Sequence, residues 1–143
     1  MKNQLLSILT AIGFAAACAS PAFGDDLESL DGKWTAQKTN DEGQRISQHI
    51  EIKKNKFKFK VVGSDGQTRL YAEGDVKLEK AGPFKTIVFT NIQAGQSDSD
   101  INPIDDTYTS IYRLGKDTWT LVTNIDKDRD EQKPSLDVYR KSK

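Results

Sequence analysis

Asp26-Leu27-Glu28-Ser29-Leu30-Asp31-Gly32-Lys33-Trp34 decides how this chain is read, because an acidic turn gives way there to the first of many short alternating strands. Asp25 or Asp26 caps a single helical turn by accepting from its free backbone N–H groups, and Leu27 and Leu30 then point the same way. Such a turn covers one end of a barrel. Beyond Gly32 a strand is expected over residues 33–38, with Trp34 and Ala36 on one face, ending at the turn residues Asn40-Asp41-Glu42-Gly43.

Working outward, the same period of two continues to the C-terminus. A second strand carries Ile46, Ile50 and Ile52 on one face with Ser47, His49 and Glu51 opposite; a third, over 56–62, alternates Phe57, Phe59 and Val61 with Lys56, Lys58 and Lys60. Gly63-Ser64-Asp65-Gly66 is a hairpin signal. The next strand places Leu70, Ala72, Gly74, Val76 and Leu78 on one face, and Gly74 marks a bend or bulge of the kind that curves a barrel wall. Further strands are expected over 85–92, 107–114, 118–125 and 135–141. Residues 93–106 have no period and read as the longest loop.

Eight strands joined by short turns, with no helix between them, predict an all-β fold: an eight-stranded up-and-down antiparallel barrel with a short N-terminal helical turn. Parity on the last strand has two readings. If Leu136 and Val138 face inward, Arg140 shares their face and needs a partner, for which Trp34 is suited; a guanidinium over an indole gains roughly 0.5 to 2 kcal/mol. Otherwise Arg140 ends in solvent near the terminus.

Ahead of the barrel, Lys2, an apolar run from Leu5 to Ala17 and the small residues Ala22 and Gly24 read as an export leader over residues 1–24, leaving 25–143 as one domain. Cleavage after Ala19 is the alternative to cleavage after Gly24. The apolar run is too short and too rich in Ala and Gly to span a bilayer. Ala15-Ala16-Ala17-Cys18 also offers a lipoprotein reading in which Cys18 is lipidated; otherwise the only Cys of the chain leaves with the leader. An exported domain without disulfides depends on its core. Lys and Arg balance Asp and Glu at 21 each, and no basic stripe with interleaved aromatics suggests nucleic acid. The Lys56, Lys58, Lys60 row reads as a solvated strand face, with an anionic-partner patch as its alternative.

The opening residues also carry a resemblance. Asp-Leu-x-x-Leu-x-Gly-x-Trp over residues 26–34, with Ile111-Tyr112-Arg113-Leu114-Gly115-Lys116-Asp117-Thr118 near the other end, is similar to the small lipocalin-like domains common in secreted planctomycete proteins. More distantly, Gly32-Lys33-Trp34 with Arg140 resembles the signature of the lipocalin/calycin superfamily. The resemblance implies a barrel whose closed end is built from Gly32, Trp34 and Arg140, the Trp as plug and the Arg across its ring. It also implies export, and it brings no catalytic residue.

Chemistry has little material. His49 is the only His, on the face opposite the Ile row, and no pair of carboxylates stands out, so neither a catalytic residue nor a cofactor is expected. Two acidic stretches, Asp126 to Glu131 and the group Asp98, Asp100, Asp105, Asp106, have oxygen ligands of the type calcium takes, against a plain reading as solvated loops. An eight-stranded barrel is just wide enough to be filled by side chains or to hold one small ligand. Phe57, Phe59, Leu70, Ala72, Phe89, Tyr112 and Trp119 are the candidate ligand-lining residues. The expectation is a non-enzymatic, periplasmic or extracellular barrel binding a small, apolar or amphipathic molecule at the end opposite Trp34. The alternative is a filled barrel that binds another envelope or extracellular protein through its loops, and an enzyme acting through lone carboxylates is a third.

Overall fold

The computed structural model describes residues 23–143. Residues 1–22, which hold Cys18, the alternative boundary after Ala19 and all but the last two residues of the expected leader, lie outside the described residues. Helix α1 (Phe23–Leu30) is followed by β1 (Gly32–Thr39), β2 (Arg45–Lys53), β3 (Lys56–Gly63), β4 (Thr68–Ala81), β5 (Phe84–Ser97), β6 (Asp100–Pro103), β7 (Tyr108–Leu114), β8 (Thr118–Thr123) and β9 (Ser135–Lys141). The strands run in the order β4-β3-β2-β1-β9-β8-β7-β5-β6, all neighbours antiparallel, and a further β4–β5 pairing closes the ring. Eight strands form the wall, and β6 extends β5 as an arm.

Alternation sets the inward face. Trp34 and Ala36 on β1, Ile50 and Ile52 on β2, Phe57 on β3, Ala72 and Val76 on β4, Ile87 and Ile92 on β5, Tyr112 on β7, Trp119 and Leu121 on β8 and Tyr139 on β9 form one buried core with Leu30 of α1. Trp34 meets Trp119 edge to face at 5.7 Å, and Trp119 lies 5.7 Å from Tyr139.

α1 caps the end where β1 begins. Acidic Asp25 and Asp26 occupy its first turn, where they suit the positive end of the helix. The Trp34 indole N–H donates to the Leu30 carbonyl at 2.8 Å, satisfying an acceptor at the helix C-terminus. Gly32 turns the chain from α1 into β1 at φ +129°, a backbone conformation that side chains rarely tolerate. Gly74 sits where the β4–β5 register slips between Glu73 and Asp75, opposite Asn91 at φ 49°. A Cβ there would come within 2.6 Å of the Thr90 carbonyl oxygen.

Two expectations are corrected. Residues 93–106 are not a period-free loop, since β5 continues to Ser97 and β6 returns along it, with Gln93 opposite Pro103 and Ala94 opposite Asn102. Backbone hydrogen bonds hold this arm, and with much of it exposed no hydrophobic period marks it in the sequence. The inward reading of the last strand is also wrong. Tyr139 lies opposite Trp119 and Asp137 opposite Leu121, so Leu136, Val138 and Arg140 point outward, with Leu136 63% exposed. A one-residue choice of face exchanges the whole set, and burying Tyr139 against Trp119 outweighs burying Leu136 and Val138.

Candidate functional site

The end of the barrel opposite α1, here called its mouth, has no helix across it among the described residues, and its inward face is divided. On β9, Asp137 is 7% exposed and ion-paired to Lys38 of β1 at 2.6 Å. Ser135 joins them, accepting from Lys38 Nζ at 2.9 Å and donating to Asp137 Oδ1 at 3.2 Å. The Tyr139 hydroxyl donates to Gln48 Oε1 of β2 at 2.7 Å, and burial with the neighbouring Asp137 charge pushes that phenol far above its ordinary value. These groups lie where the wall is least closed. Among the described residues β1 pairs with β9 only at Trp34–Lys141 and Thr35–Arg140, and beyond those rungs side chains bridge the two strands.

Diametrically across the ring from β9 stands β4, flanked by β3 and β5. Here the rung Phe59–Ala72–Ala94 is apolar, and Val61 and Leu70 pair next to it. Ala72 is buried, Phe59, Val61 and Ala94 are half-buried, and Leu70 on the rim is 41% exposed. The mouth therefore has an ionic, hydrogen-bonding side and an apolar side of small and aromatic residues.

Of the seven sequence-derived lining residues, Phe59, Leu70 and Ala72 are brought together on that apolar side. Phe57 and Phe89 instead stack edge to face at 5.0 Å. Tyr112 is buried with its hydroxyl donating to Asp26 of α1 at 2.8 Å, so it ties the closed end. Its phenol is raised by burial and by that carboxylate; Asp26, which burial alone would raise, is held below its ordinary value by Lys85 and Tyr112. Trp119 is wholly enclosed between Trp34 and Tyr139, and its indole N–H has no acceptor among the described residues. At the closed end Gly32 and Trp34 stand as expected, but Arg140 does not cross the indole ring. Lys141, opposite Trp34 in the β1–β9 ladder, places its Nζ 5.2 Å from the ring centroid instead.

Lys38, Gln48, Asp137 and Tyr139 went unread as site residues. Lys38 continues the Trp34, Ala36 alternation and Gln48 falls between Ile46 and Ile50 on the inward row, so both carried a legible signal. Asp137 and Tyr139 did not, because the face of β9 was unsettled.

One carboxylate from each acidic stretch, Asp106 and Asp126, meets Arg129 of the β8–β9 loop. Its guanidinium lies 4.0 Å from the Tyr108 ring centroid, contacts Asp106 at 3.0 Å and Asp126 at 2.8 Å, and donates to the Thr107 carbonyl at 3.1 Å. Arg129 and then Lys127 hold Asp106 well below the ordinary carboxylate range. Asp126, though burial opposes it, is lowered by Arg129. These carboxylates fasten the mouth-end loops to β7, and no group of three His, Cys, Asp or Glu side chains placed to hold a metal ion occurs among the described residues. No described helix is long and apolar enough to cross a membrane.

No family model, curated protein or solved structure matches this chain.

Proposed function

We propose that this protein is an exported, lipocalin-like barrel, periplasmic or extracellular, that binds a small amphipathic molecule at its mouth without transforming it. The division of the mouth carries this reading. Asp137 with Lys38 closes the β1–β9 seam, but its desolvation offsets much of what the pair returns, so a barrel that needed only a filled core would be served as well by an apolar pair there. An amphipathic molecule uses both sides, its polar end hydrogen-bonding Lys38, Gln48 or Asp137 and its apolar part lying on Phe59, Ala72 and Leu70. Few, well-placed polar groups beside an apolar wall are what small-molecule sites share.

Titration with 8-anilinonaphthalene-1-sulfonate, a probe that brightens in dry surroundings, tests it. Saturable binding at one site per chain is expected, abolished by Ala72→Phe in a variant that still folds. Saturable binding that survives Ala72→Phe moves the site elsewhere, and its absence rejects the carrier reading.

A second reading, a barrel that docks on another envelope or extracellular protein, is favoured by Leu136 and Val138, 63% and 45% exposed beside the incompletely paired β1–β9 seam. It transfers the interaction from loops to wall. Leu136→Lys would then remove partner capture while leaving probe binding intact.

A further inference from the structure

A separate groove lies on the outer wall of the barrel and does not depend on the mouth. Cross-strand pairing sets Thr35, His49, Lys60 and Tyr71 in one row, and Lys33, Glu51 and Lys58 in the next, across β1 to β4. Asp98, at the turn between β5 and β6, completes the rim. The space they line is about 310 Å³, at the lower end of the roughly 300–1,000 Å³ of small-molecule sites.

Its polar groups are half-committed. Ser142 Oγ and Thr35 Oγ1 are hydrogen-bonded at 3.1 Å, and Thr35 Oγ1 and His49 Nδ1 at 3.2 Å, leaving His49 Nε2 without a partner among the described residues. The side-chain charges of Lys33, Lys58, Lys60, Glu51 and Asp98 likewise form no ion pair or hydrogen bond among the described residues. Among the lining groups three ammoniums face two carboxylates, and just beyond them Glu73, opposite Lys58 and bonded to Tyr71, and Arg140, opposite Thr35, add one charge of each sign, so the balance is one positive charge. His49 adds no further charge near neutral pH, because burial and then Lys60 hold it below 6.5. Tyr71 stays protonated, raised to about 12 by burial and the hydrogen bond to Glu73, with the charges of Glu73, Asp98 and Glu51 adding to it.

We propose that this groove binds a singly charged, hydroxylated organic anion, a sugar acid by chemical class. Its carboxylate meets Lys60 and His49, and its hydroxyls donate to Glu51 and Asp98 and exchange hydrogen bonds with Thr35 and Ser142. The two acidic groups oppose a compact dianion, which has no hydroxyls to offer them. The excess ammonium sets the groove apart from one built for an uncharged sugar.

Isotope-labelled protein titrated with sodium glucuronate, with glucose and sodium sulfate as parallel arms, tests this by NMR. Glucuronate is expected to shift the amides of Thr35, His49, Lys60 and Tyr71 saturably and to raise the His49 titration midpoint. Glucose at the same concentration should do neither. Lys60→Gln should weaken glucuronate binding about tenfold, the loss of one charge-assisted hydrogen bond, whereas Lys133→Gln in the β8–β9 loop, at the other end of the barrel, should leave it unchanged. Binding should survive Ala72→Phe, which separates this site from the mouth. Absence of saturable shifts with glucuronate, equal binding of glucose, or tighter binding of sulfate would each overturn the proposal.

Discussion

Lys38 reaches from the first wall strand to Asp137 on the last, closing at 2.6 Å a seam whose backbone ladder has already ended. The pair is unequal, because Asp137 is 7% exposed while Lys38 keeps 30% of its side chain in solvent. Removing the lysine strands a buried carboxylate, whereas removing the carboxylate leaves an ammonium that turns outward.

Lys38→Met should therefore destabilise more than Asp137→Asn, by about 2 kcal/mol against about 1 kcal/mol, the first figure reduced from the fully buried case for the lysine's exposure. Lys38→Met with Asp137→Leu should recover much of the loss. Urea denaturation of the three variants measures this. Equal single losses, or a double variant as weak as the sum, would show that the seam is not held by this pair.

Trp34→Ala should cost about 3–5 kcal/mol, since it leaves a cavity against Trp119 and frees the Leu30 carbonyl. Arg140→Ala, on an outward exposed side chain, should change stability by less than about 0.5 kcal/mol. Thermal and chemical denaturation distinguish the two. An Arg140 effect comparable to that of Trp34 would restore the arginine to the closed end.

Tyr112→Phe should loosen α1 by removing the hydroxyl that donates to Asp26, a loss of about 1 kcal/mol. Hydrogen exchange of the residue 26–31 amides should quicken while the β7 and β8 amides stay protected. Uniform acceleration would mean the substitution acts on the core and not on the cap.

Acid should weaken the anchoring of the mouth loops. Asp106 has a folded value depressed below the 3.8 of an unfolded carboxylate by Arg129 and Lys127, so its contribution is present above that value and lost as pH falls through the folded one. Stability followed by urea from about pH 6 to about pH 2 should decline, and Arg129→Met should flatten the decline. An unchanged slope in the variant would place the acid sensitivity elsewhere.

The barrel was legible because period-two alternation and turn residues such as Gly63-Ser64-Asp65-Gly66 are local, and each strand states for itself which residues share a face. Gly74 as a bulge and Trp34 as a buried plug followed from the same local grammar. The candidate mouth was only half legible. Phe59, Leu70 and Ala72 sat on a visible apolar row, but Lys38 and Gln48 were polar residues on inward rows, whose burial depends on partners far along the chain. Asp137 is distant in sequence from Lys38, and neither residue announces the other.

What the sequence alone determined is the number of wall strands, their order of alternation and the acidic cap before Trp34, since these follow from backbone periodicity and local turn chemistry. The tertiary structure alone decided which face of β9 turns inward, that Lys141 and not Arg140 lies against Trp34, and that residues 93–106 fold back as β5 and β6. A face is chosen by the energy of the packed partners across the sheet, Tyr139 on Trp119 and Asp137 with Lys38, and a backbone ladder between polar strands leaves no side-chain period to read.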